Sequence, residues 1–240
     1  MNRQERTMSQ AEVGSGAVDT GLRAYMLRVY NYMSLGVAFT AALAMLVASS
    51  PAAVQAIQGG LFWVLFIGVL GLGWFAPKLM LSKSVGAAQA CFWAYAAMWG
   101  ALLGPMFAQY TGSDSMTLVR AFAITAATFA GTSLAGYTTK KDPSVLASSF
   151  LMATICGAVA VPADAFLIQS TGFELVLSIG VVLLFSGITA WETQQIKTMY
   201  AEADAGDVQT RKAVFGAFML YGSFVTLFIH ILNILGIMDE

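Results

Sequence analysis

The stretch AVFGAFMLYGSFVTLFIHILNILG, residues 213–236, holds 24 residues without a Lys, Arg, Asp or Glu. About 20 such residues cross the hydrocarbon core of a bilayer as a helix. The run nevertheless carries Ser223, Thr226, His230 and Asn233. At roughly 100° per residue these fall within an arc of about 80°, with Gly216 and Gly222 beside it. A spanning helix with a single polar stripe turns that stripe away from lipid. The stretch therefore predicts an inner helix with the others packed around it. The competing reading is that Ser223 and Thr226 bond back to their own helix, while His230 and Asn233 sit near the exit interface.

The rest of the chain agrees with a membrane protein. Of 240 residues, 58% are hydrophobic and 10% charged, where a soluble domain has about 25% charged. Six further apolar segments precede the last: about 27–49, 60–77, 85–107, 117–137, 144–163 and 174–193. The expected class is an all-α integral membrane protein of seven transmembrane helices, the C-terminal one enclosed by the other six. Residues 1–22 are polar, carry Gly and Ser and have no apolar core, so they read as a flexible cytoplasmic tail rather than a secretory signal. Residues 23–240 then form a single membrane domain. Pro51, Pro77, Pro105, Pro143 and Pro162 fall at or near segment ends, where a missing N–H costs least. The connection at about 194–212 is the long one.

Orientation follows from the basic residues. With the N-terminus inside, Arg3, Arg6, Arg23, Arg28, Lys78, Lys83, Lys140, Lys141, Lys197, Arg211 and Lys212 are cytoplasmic and only Arg120 is outside. An asymmetry of 11 to 1 is a strong positive-inside signal. Seven spans then place the C-terminus outside; a last segment that dips in and returns would keep it inside. Close packing has its own signature in GALLG (100–104), a small-xxx-small pair, and in Thr125, Thr128, Thr132 and Gly136, which share one helix face.

Several chemistries are excluded. A net charge of −1 and a pI near 5.8 point away from nucleic acid. One His and two scattered Cys, Cys91 and Cys156, make no zinc pattern and read as buried thiols. Ser223 and His230 are seven residues apart on one helix, about 10 Å along its axis, too far for a nucleophile and its base. The last segment has no Lys for a retinal, and no glycine motif of a nucleotide site is present. The sequence predicts no enzyme, no cofactor and no resident metal.

Four stretches carry a family resemblance: YNYMSLGVAFTAALA (30–44), AFAITAATFAGTSLAGYTTKKDPS (121–144), FSGITAWETQQIKTMY (185–200) and GAFMLYGSFVTLFIHILNILG (216–236). Together they resemble the Bax inhibitor-1 family of small multi-spanning membrane proteins. The loop MYAEADAG (199–206) is similar to bacterial members, which implies a bacterial inner membrane. The resemblance implies a cytoplasmic N-terminus, seven helices and an enclosed last helix. It also implies a pH-sensitive calcium leak resting on two facing aspartates, one on the sixth helix and one on the last. Calcium takes hard oxygen ligands, and two adjacent carboxylates do not both ionise easily, so proton and metal compete for the same oxygens.

The chain departs from that pattern at both positions. The first aspartate matches Glu192 and the second Ser223; a neighbouring amide matches Thr226. The resemblance therefore implies a low-throughput cation path, for calcium or another cation, lined by Glu192, Ser223, Thr226 and His230, without the carboxylate-pair switch. The alternative is a membrane interaction protein that modulates a membrane-bound AAA protease or another complex, with 1–22 and 194–212 as its handles. If Lys197 and Lys212 mark one interface, Glu192 lies some 9 Å shallower than Ser223, and Trp191 beside it suits a headgroup region. On that reading Glu192 is an interfacial, hydrated carboxylate.

Overall fold

The computed structural model describes residues 3–82, 84–113, 115–139 and 170–239. Every regular element in it is helical, and six helices are long and apolar enough to cross a membrane. We number them α1 (Arg3–Ala48), α2 (Pro51–Ser82), α3 (Val85–Ser113), α4 (Ser115–Thr138), α5 (Thr171–Met199) and α6 (Gly206–Asp239). The expected segment 144–163 lies outside the described residues. So do Lys83, Asp114, Lys140, Lys141, Cys156, Asp164 and the prolines 143 and 162.

Helix ends extend beyond the apolar segments. The backbone of 3–19 continues α1, where composition predicted an irregular tail. α5 runs on to Met199 and α6 begins at Gly206, so the connection expected at 194–212 shrinks to 200–205. The reason is physical. Apolarity marks where the bilayer is, whereas a helix continues into water wherever its residues permit. The connection is also tied down: Lys212 Nζ donates to Met199 O at 2.9 Å and pairs with Asp204 at 2.5 Å. Pro51 sits at the start of α2 behind the N-cap Ser50, as its position predicted. Pro77 and Pro105 do not end their helices. They lie inside α2 and α3, which is tolerated in membrane spans where neighbours re-satisfy the freed carbonyls. A wide turn at Ile57–Leu61 kinks α2, with Gly59 leaving helical backbone (φ −86°, ψ −142°).

Lys197, Arg211 and Lys212 gather at one end of the bundle, away from Arg120, and there they close helix C-termini. Arg211 donates to Leu81 O (2.6 Å), Lys197 Nζ to Tyr137 O (3.1 Å) and Lys212 to Met199 O, at the ends of α2, α4 and α5. These carbonyls have no partner within their own helix and sit at the negative end of the helix dipole. α1 begins at this end too, since Arg28 reaches Thr210 (3.3 Å). α6 runs from here to the far end, where Asp239 accepts from Thr117 Oγ1 at the start of α4 (2.9 Å). It is one continuous helix without a re-entrant turn.

α6 packs against α1, α2, α3, α4 and α5, and more of it is buried than of any other span. Leu220, Tyr221, Leu227 and Leu232 are fully covered. Glycines set the closest approaches. The GALLG pair brings α3 onto α1: a Cβ at Gly100 would meet Leu43, and one at Gly104 would overlap Val47. On α4 the predicted small face meets α5 at Gly136, where a Cβ would fall on the Ala190 backbone. That contact yields a test. Gly136→Leu is expected to destabilise the fold by about 1–3 kcal/mol, because backbone cannot move aside as a side chain does. Gly131→Leu, at an exposed site with open space, is the control. Thermal unfolding in detergent reads the difference; equal midpoints for the two variants would refute the close crossing.

Candidate functional site

The seam between α5 and α6 carries the polar groups. The two helices run antiparallel, with Gly216 of α6 against Ile196 of α5. That register sets Glu192 opposite Leu220, about three residues or 4.5 Å short of Ser223. The longer glutamate arm covers the gap. Ser223 Oγ donates to Glu192 Oε2 at 2.7 Å, and Ser223 is 2% exposed. The 9 Å offset expected from the lysines does not occur. Lys197 lies one residue beyond Ile196, whereas Lys212 lies four beyond Gly216, so the two do not mark one level. Trp191, expected at a headgroup, has its indole N–H buried, with no acceptor among the described residues.

The remaining stripe residues divide. Thr226 Oγ1 bonds back to Gly222 O at 3.0 Å, the bland alternative for a threonine in a helix. His230 Nδ1 is 3.2 Å from Ser178 Oγ on α5. Asn233 has no side-chain hydrogen bond among the described residues and is partly buried. Among the described residues the seam thus holds two inter-helix side-chain pairs, Glu192–Ser223 and Ser178–His230, about 10 Å apart along α6. Ser178 was not singled out by the sequence reading. It lies 14 residues before Glu192, hence about 40° from it on the same face of α5, and that spacing was the available signal.

A second polar cluster also went unread. Tyr30 of α1, Ser133 of α4 and Thr193 of α5 form a hydroxyl chain, at 2.6 Å and 2.9 Å. It fixes α1, α4 and α5 in register directly beside Glu192. On the opposite side of α6, Thr40 binds Tyr221 Oη (2.7 Å) and Ala96 O (3.0 Å), tying α1 to α3 and α6.

With its carboxylate ionised, Glu192 is an acceptor only, and the Ser223 hydroxyl occupies one of its lone-pair sites. The rest are hard oxygen donors. Calcium takes six to eight oxygens, and among the described residues no group of three His, Cys, Asp or Glu side chains converges. One carboxylate with one hydroxyl falls well short of such a shell.

Residues 22–240 match the family described as "Inhibitor of apoptosis-promoting Bax1". The chain belongs to the Bax inhibitor-1 family. Its relatives include an inner membrane protein of Escherichia coli, YbhL, 32% identical over 220 residues, covering 90% of this chain and 92% of the relative. An uncharacterised protein of Caulobacter vibrioides is 34% identical over 231 residues, 92% of this chain and 91% of the relative. One from Rickettsia prowazekii is 33% identical over 219 residues, 91% of each chain. This is thus a Bax inhibitor-1-like membrane protein, matched from just before its first apolar segment to residue 240.

Proposed function

We propose that this chain is a non-enzymatic, low-throughput cation leak of a bacterial inner membrane, with calcium as the first candidate ion. The observation that carries the reading is the 2.7 Å contact between Glu192 and Ser223. It joins the two positions where the family resemblance places its functional carboxylates, in a chain that has only one of them. Glu192 supplies the charge that draws a cation into the seam. Ser223 holds the carboxylate against α6 and releases it when an ion competes. Thr226 and His230 lie further along α6, where Ser178–His230 is the second polar contact on the proposed path. The test is calcium flux from vesicles that contain the purified chain and nothing else.

The architecture we propose has seven spans with the last enclosed by the other six. Its support is parity. α4 and α5 run parallel, as the pairs Ser133–Thr193 and Tyr137–Lys197 require, and a seventh span between them is what this orientation supports. The basic end is then cytoplasmic, and the two termini lie on opposite sides. A reporter fused after Glu240 is expected to read non-cytoplasmic; a cytoplasmic readout would refute this topology.

The second reading, modulation of a membrane-bound protease, is favoured by one observation, the helical extension of α1 beyond its span. The other proposed handle is weakened, since 200–205 is short and held by Lys212. Flux without any partner separates the two readings.

A further inference from the structure

Between α1 and α4 a lateral groove of about 870 Å³ opens on the side of the bundle, floored by Phe224 of α6. Tyr30 and Ser133 bridge its walls. From that bridge, Arg23 lies seven residues towards the basic end and Tyr137 four, so both stand at the same mouth. Arg23 is exposed, and no hydrogen bond or ion pair engages its guanidinium among the described residues. Lys197 Nζ lies 4.8 Å from the Tyr137 ring centre, adding a second cation behind the first. Beyond the bridge the walls are apolar apart from Ser34, ending at Ala41 and Phe122. The rims Leu27, Phe122 and Leu134 are 54%, 47% and 64% exposed and lie within the spans, so lipid faces them.

Dimensions select the occupant. From Arg23 to Ala41 the groove follows 18 residues of α1, about 27 Å. It opens sideways within the spans, and its lining is almost wholly apolar, so a polar segment does not fit it. A hydrocarbon chain does. Charge selects the headgroup, because basic pockets at the cytoplasmic ends of spans favour anionic lipids.

We propose that this groove binds an anionic phospholipid, its phosphodiester on Arg23 and one acyl chain along α1 and α4. The site is separate from the Glu192 seam and stands whether or not the chain conducts ions. Occupied, the groove shields Phe224 and the Tyr30–Ser133 bridge from exchange with bulk lipid.

The test uses the full chain in phosphatidylcholine vesicles with a trace of phospholipid spin-labelled on its acyl chain. Labelled phosphatidylglycerol is expected to show a motionally restricted fraction several-fold above that of labelled phosphatidylcholine. Arg23→Gln, at an exposed site, should bring the two to the same level. Ala38→Trp, which fills the groove from an exposed wall position, should remove the excess while thermal unfolding stays at the wild-type midpoint. Equal restriction of the two lipids in the wild type overturns the proposal, as does a preference that survives Arg23→Gln. Disulfide cross-linking of Leu134→Cys between two chains would place a second copy there and overturn it too.

Discussion

Glu192→Gln is expected to lower calcium flux from vesicles by more than about tenfold, since each 1.4 kcal/mol of lost interaction is a factor of ten. The substitution changes little else. Gln has nearly the same volume and keeps a carbonyl oxygen to accept from Ser223 Oγ, so the α5–α6 contact survives. What disappears is the only carboxylate placed on the seam between these helices among the described residues, and the new amide presents N–H donors to an approaching cation. Folding should hold, because no partner is left unsatisfied, and thermal unfolding within a few degrees of wild type is the control. Wild-type flux in the variant would reduce Glu192 to a packing residue and leave the protease-modulator reading ahead.

Much of the architecture was legible because a bilayer imposes a simple demand on sequence. A span of about 20 apolar residues leaves few alternatives. The polar stripe on 213–236 identified the helix that packs against five others, since only an inward face tolerates Ser223 and His230 together. GALLG was legible for the same reason, small residues being what lets helices approach in lipid. Helix ends were not. Thr193–Met199 and Gly206–Lys212 are polar, so apolarity stops before the helices do. The depth of Glu192 was misjudged because two lysines served as a common ruler, whereas each caps a different carbonyl. Ser178 escaped notice because a serine in an apolar helix more often bonds its own backbone, as Ser186 does with Val182 O. Thr226, singled out beside Ser223, follows that same rule.

Restoring the missing acid tests the seam from the other side. Ser223→Asp puts a second carboxyl within reach of Glu192, at a position already packed against it. Two carboxyls that close cannot both ionise freely, so they share a proton until a cation displaces it. Proton and calcium then compete for one set of oxygens. As pH falls the pair takes up protons and releases calcium; as pH rises it binds calcium more tightly. The variant is therefore expected to bind calcium with an affinity that falls by up to about a hundredfold per pH unit where both carboxyls exchange a proton for the ion, against at most about tenfold for a single carboxyl. Wild type, with a hydroxyl at 223 that exchanges no proton, should show a shallower profile carried by Glu192 alone. Measured as calcium flux from vesicles over about pH 5 to 8, the two profiles separate in slope. The added charge also carries an insertion cost of about 2.5–3.5 kcal/mol at a helix centre, so a lower unfolding midpoint is expected alongside the steeper response. A wild-type profile already as steep as the variant's, and flattened by Glu192→Gln, would mean that another acid partners Glu192 and that Ser223 does not hold the second family position.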